Sequence, residues 1–86
     1  MKSREEVIVL FGELYEKGYR YVVRDAGMQC LVCFSLKPKK YRDTESWGYV
    51  NPNNPDVMPA YPIQNEDVWE IKWTNRAATL IDAYLT

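Results

Sequence analysis

The chain has 86 residues, of which 47% are hydrophobic and 27% charged, and its net charge is −1. This length suits one small domain over 1–86 with a limited core. The apolar content excludes a disordered chain, and the near-neutral charge leaves no strong field toward nucleic acid or an anionic membrane. No apolar run approaches the roughly 20 residues of a membrane span, and Glu5 and Glu6 stand where a secretory signal would turn apolar. A cytoplasmic protein with no membrane contact and free thiols at its two cysteines is therefore expected.

In chain order, Ser3 followed by Glu6 has the spacing of a capping box. Val7, Ile8, Leu10, Phe11, Leu14 and Tyr15 then recur at helical period, and Gly18 supplies a left-handed stop. The spacing predicts a helix over 4–17, in which Gly12 would let another segment approach closely. Residues 19–24 are β-branched and aromatic, with Arg20 and Arg24 on the face opposite Tyr19, Tyr21 and Val23. Asp25-Ala26-Gly27 is turn chemistry. Residues 28–35 carry apolar side chains on both faces, which predicts a central strand paired with 19–24 in a hairpin.

Pro38 is expected to end that strand, placing Lys37, Lys39, Lys40, Tyr41 and Arg42 in a basic loop over 37–42. A short third strand is predicted over 46–50. Four of the five prolines, Pro52, Pro55, Pro59 and Pro62, lie in 51–62, which predicts a long, stiff loop. Alternation of Trp69, Ile71 and Trp73 favours a strand over 68–73. Ala77, Leu80, Ile81 and Tyr84 give the stripe of a C-terminal helix over 76–85, with a strand through Ala77, Thr79, Ile81 and Ala83 as the rival pattern.

The expected fold class is α+β, with the N-terminal helix packed on a mostly antiparallel sheet of three to four strands. The expected core is Val7, Leu10, Phe11, Leu14, Tyr21, Val23, Cys30, Val32, Phe34, Trp47, Trp69, Ile71, Leu80 and Ile81.

The chain contains no histidine. Ser-His and Cys-His nucleophiles are excluded, as is imidazole acid–base chemistry near neutral pH. Neither GxGxxG nor GxxxxGK[ST] occurs. Cys30 and Cys33 match CxxC, but in a strand residues three apart point to opposite faces, so two small buried hydrophobes are expected. Glu66 and Asp67 are adjacent without forming an evident acid–base pair. No enzyme activity and no cofactor are expected.

Two surfaces remain. Lys37, Lys39, Lys40 and Arg42 with Tyr41 could neutralise phosphates and stack a base. The Pro loop, with Tyr49, Met58 and Tyr61, is the segment expected to contact a partner protein. Trp47, Trp69 and Trp73 could cage a cation, though core roles are expected for them.

Arg24-Asp25, Gly27, Leu31, Phe34, Lys37-Pro38, Trp47 and the run Val68-Trp69-Glu70-Ile71-Lys72-Trp73 resemble a pattern of small phage and prophage proteins of Gram-positive bacteria. Those proteins carry an RD…G…L…F…KP hairpin, a Trp after a short loop and a V/I-x-W segment near the end. The likeness covers about residues 19–75, and the chain departs from it in the Pro loop and the Ala-rich tail. No activity is assigned to that family, so the resemblance implies a setting, a phage-type accessory protein in a bacterial cytoplasm, and transfers no functional residues. The predicted element order is also similar to that of double-stranded RNA-binding domains, whose last helix begins with a lysine cluster where this chain has Asn75 and Arg76. Small phage inhibitors of bacterial defence nucleases share the same order. The function expected is a non-catalytic protein-interaction or regulatory protein, with nucleic-acid binding through 37–42 as the alternative.

Overall fold

A computed structural model describes residues 3–64, 68 and 70–85. Helix α1, Arg4–Lys17, starts with the capping box: the Ser3 hydroxyl accepts from the Glu6 amide at 3.2 Å, and the Glu6 carboxylate accepts from the Ser3 amide at 3.3 Å. It ends at Gly18, whose φ of 118° only glycine adopts without strain. A Cβ at Gly18 would also stand 3.0 Å from the Met58 sulfur, so the chain packs tightly there.

Strands β1, Tyr21–Arg24, and β2, Cys30–Phe34, form the expected hairpin, joined by 25–29 rather than by three residues. Its register pairs Tyr21 with Phe34 and Arg24 with Leu31. Further along come β3, Pro38–Tyr41, β4, Ser46–Tyr49, β5, Tyr61–Gln64, and a two-residue β6, Thr79–Leu80. One four-stranded sheet has the order β5-β2-β1-β6 with every neighbour antiparallel. The β3–β4 hairpin forms a second, two-stranded sheet. The α+β class holds.

Four expectations fail. Residues 37–42 are not a loop. Pro38 opens β3 opposite Tyr49, since a proline is tolerated as the first residue of a strand, and at an edge where its missing donor would face outward. The Pro loop ends at Ala60, because Pro62 lies in edge strand β5 opposite Val32. The C-terminal helix is a 3₁₀ turn, Ile81–Tyr84, preceded by β6. Ile81 donates its amide to the Arg20 carbonyl at 2.9 Å, continuing the β6 ladder rather than a helix. Around 68–73 the described residues form turns, not a strand; Trp69, Glu66 and Asp67 lie outside the described residues.

The central sheet is covered on both faces. Val7, Phe11, Leu14, Val22, Leu31, Cys33, Ile63, Val68, Ile71 and Ile81 bury against α1. On the opposite face Val23 and Phe34 meet Trp47 of β4, with Tyr21, Val32, Tyr49 and Trp73 partly buried around them. Tyr21, Val23, Val32 and Phe34 therefore line the smaller core, with Tyr21 and Val32 only half-buried, and the half-buried Cys30, expected in the core, joins neither cluster. The deeper face carries Val22, Leu31 and Cys33. Leu10 is half-buried and packs against the core, whereas Leu80 is exposed and does not join it as expected. Across α1, Phe11 and Tyr84 make an edge-to-face pair at 5.3 Å. A Cβ on Gly12 would meet Leu85 at an ordinary 3.8 Å, so close approach does not require glycine there.

Arg24 alternates onto the helix side and is only 5% exposed. Its guanidinium donates to the carbonyls of Ile71 at 2.8 Å, Gln29 at 2.7 Å and Val68 at 3.0 Å. Burial lowers its pKa, and those carbonyls hold the charge in place. Arg24 lies on the face opposite Tyr21 and Val23, as expected, and ties Val68 and Ile71 to the sheet.

Candidate functional site

The predicted basic cluster is divided by the pleat of β3. Lys40 lies opposite Trp47 and turns inward. Its ammonium sits 4.4 Å from the centre of the Trp73 ring and 5.3 Å from that of Trp47, and the two indoles meet edge to face at 6.4 Å. It also donates to the carbonyls of Trp73 and, at 2.8 Å, of Asn75. Two of the three tryptophans, Trp47 and Trp73, do flank a cation, and it is a lysine of the same chain. Lys40 therefore anchors the segment after residue 72 to the hairpin, and its donors are committed within the fold.

Lys39 and Tyr41 lie on the outer face of the hairpin. The Lys39 ammonium stands 5.6 Å from the Tyr41 ring centre, and the ring rests on Gly48, whose Cβ would come within 3.4 Å of it. Lys37 and Arg42 are exposed, as are Asp43 and Glu45 in the adjoining turn. That turn is docked on the main sheet: the Asp25 carboxylate accepts from the Trp47 amide at 2.9 Å, and the Ala26 amide donates to the Glu45 carbonyl at 3.2 Å. Lys37, Lys39 and Arg42 thus share their surface with two carboxylates.

The three partner-binding candidates also divide. Tyr49 is half-buried; its hydroxyl accepts from the Ser35 amide at 2.9 Å and donates to the Met58 carbonyl at 2.7 Å. Met58 is half-buried, and its amide donates to the Ser35 hydroxyl at 3.1 Å. Tyr19 completes the set by donating to the Pro59 carbonyl at 2.7 Å, and burial pushes its phenol pKa up. Three hydrogen bonds therefore fix the main chain at 58–59. Tyr61 packs edge to face on Tyr19 at 6.1 Å and keeps 39% of its surface exposed. Beside it, Pro52, Pro55, Pro59 and Ala60 are exposed. Tyr19 and Ser35, which position this surface, were not anticipated; the only trace in the sequence is a tyrosine and a serine flanking strands.

Cys33 faces the helix side and Cys30 the hairpin side, so the two sulfurs are not paired. Burial pushes the Cys33 thiol up to about 12, which keeps it protonated and unreactive. Among the described residues, no group of three or more His, Cys, Asp or Glu could hold a metal ion. Among the same residues, no helix is long and apolar enough to cross a membrane.

A rim network lies at the N-terminus of α1. Arg4 binds the Glu70 carboxylate with both terminal nitrogens, at 3.1 and 2.7 Å, and the Tyr84 hydroxyl donates to the same carboxylate at 2.9 Å. The Arg4 hydrogen bond, reinforced by that from Tyr84, holds Glu70 down to about 2. Burial and the bond to Glu70 push Tyr84 up to about 12. The arrangement ties α1 to the C-terminal turn.

No protein-family model, no curated protein and no solved structure matches the chain.

Proposed function

We propose that the chain is a non-catalytic protein-interaction module, a phage- or prophage-type accessory protein of the bacterial cytoplasm, that captures a partner protein on the anchored Pro loop and Tyr61. The observation that supports this is the fixing of 58–59 by Tyr19, Tyr49 and Ser35 beneath an exposed apolar surface. A loop already held in one conformation loses little entropy on binding. A tyrosine with one edge packed and one face in solvent suits a contact residue, combining apolar area with a polar tip. Tyr49 and Met58 serve as supports of that surface rather than as its contacts.

Tagged protein is used to capture partners from bacterial lysate, with and without nuclease. Capture that survives nuclease and falls about tenfold or more in Tyr61→Ala, with an unchanged circular dichroism spectrum, is the expected result. Capture that disappears with nuclease, and with replacement of Lys37, Lys39 and Arg42, would replace this reading with nucleic-acid binding on the outer face of the hairpin.

A further inference from the structure

The prolines over 51–62 divide into two pairs. Pro52 and Pro55 sit in consecutive tight turns, closed by the Asn54 amide on the Asn51 carbonyl at 3.2 Å and by the Val57 amide on the Asn54 carbonyl at 3.1 Å. Pro59 and Pro62 belong to no turn. Residues 57–60 lead directly into β5, and Pro59, Ala60, Tyr61 and Pro62 are exposed in succession. Proline fixes its own φ near about −65° and confines the residue before it to extended backbone. Met58, Pro59, Tyr61 and Pro62 are thus held by their own chemistry in the extended range that strands share with polyproline II. A polyproline II segment has three residues per turn, which brings two prolines three apart to one side.

The edge of β5 disfavours one kind of partner. Among the described residues no strand pairs with its outer side. Pro62 lies opposite Val32 with no amide to give, so it takes the position whose backbone groups point away from β2. An added strand would meet a carbonyl there without its donor, and the ladder would break at mid-strand. The same edge suits a partner that packs on proline rings and donates to carbonyls. The indole N–H and phenol O–H groups of an aromatic-lined groove do both. Residues 57–64 carry no charge, so they ask for neither a basic nor an acidic partner surface. Tyr19, Tyr49 and Ser35 already hold 58–59 in place, which spares a partner the entropy of ordering it.

We propose that the partner takes Pro59, Tyr61 and Pro62 into an aromatic-lined groove of the kind that binds polyproline II ligands. This rests on the protein-interaction reading above and names the chemistry of the partner's side.

The test repeats capture from nuclease-treated bacterial lysate in the presence of excess polyproline peptide of about ten residues, with a Gly/Ser peptide of equal length as control. Polyproline should lower capture about tenfold, and the Gly/Ser peptide should leave it unchanged. Pro59→Ala and Pro62→Ala should each weaken capture about fivefold, and Pro55→Ala by less than about twofold. All three prolines are exposed, and circular dichroism verifies the fold of each variant. Capture that is lost in Tyr61→Ala yet indifferent to polyproline, Pro59→Ala and Pro62→Ala would overturn the groove and leave the interaction module standing. Capture strengthened by Pro62→Ala, which restores the missing donor, would mark strand addition at β5 and also overturn it. A wild type that captures nothing would remove both readings together.

Discussion

The two faces of the central sheet are closed by different physics. On the helix side, aliphatic side chains and Phe11 bury almost completely, and Arg24, the charged group buried there among the described residues, donates to the carbonyls of Ile71, Gln29 and Val68. That closure is non-directional, since apolar burial depends on area removed from water. On the hairpin side the core is three residues, and polar contacts surround it: the Lys40 clasp, the Tyr49–Ser35–Met58 hydrogen bonds and the Asp25–Trp47 bond. Trp47 is 8% exposed, and among the described residues its indole N–H has no partner. The first face supplies cohesion. The second fixes where the hairpin and the Pro loop stand, and so shapes the surface that would meet a partner.

The largest test of this contrast truncates one aromatic on each side. Phe11→Ala should cost about 3–5 kcal/mol, the range for emptying a large buried site. In a domain of this size that is about a third or more of a total stability of about 5–10 kcal/mol. Trp47→Phe should cost only about 1–2 kcal/mol, because the lost area is partly offset by removing an unpartnered N–H. Urea unfolding of both variants checks the difference, and equal costs would erase the distinction between the faces.

How much of this was legible follows from the kind of signal each element carries. Helix α1 was readable to its ends because Ser3, Glu6 and Gly18 are local devices that act through their own backbone. The first hairpin was readable from its β-branched runs. Its inward face was not, because β2 is apolar on both sides and alternation distinguishes two faces without ranking them. Arg24 was placed on the face opposite Tyr21 and Val23, but the carbonyls of Val68 and Ile71, 44 and 47 residues away, that hold its charge there carry no local signal. Reading proline as a stop failed at both Pro38 and Pro62, where edge position removes the need for a donor. The site suffered from the same error. Four cations in a loop are interchangeable, whereas in a strand Lys40 points inward and Lys39 outward, and the 33 residues between Lys40 and Trp73 hide the clasp from any local pattern.

That pair of lysines gives the next test. Lys40→Met keeps the aliphatic stem and removes the cation, so it loses contact with two indoles and leaves the Trp73 and Asn75 carbonyls without this donor. The expected loss is about 1–2 kcal/mol. Lys39→Met, on the outer face of the same strand, should change stability by less than about 0.5 kcal/mol. Tryptophan fluorescence should shift in the first variant and hardly at all in the second. If the two behave alike, the hairpin is not oriented by its clasp.

The smallest effect concerns the rim of the helix side, where Arg4, Glu70 and Tyr84 join α1 to the C-terminal turn. Glu70 falls from 4.5 to about 2 on folding, so the folded chain binds its proton more weakly than the unfolded chain does. Its contribution to stability is therefore fully present above about 4.5 and is lost as pH falls toward about 2. Tyr84 has the opposite sign. Its pKa rises from 10.0 to about 12, so its contribution is lost as pH climbs between those values. The Arg4–Glu70 pair is exposed to solvent, so the effect is modest and salt screens it. Urea midpoints taken from pH 5 to pH 2 should fall more steeply in the wild type than in Glu70→Gln, and the gap should narrow in about 1 M salt. A wild-type slope that matches Glu70→Gln would mean that the two ends of the chain are joined by Phe11, Tyr84 and Ile81 alone, with the helix side closed by apolar contact out to its edge.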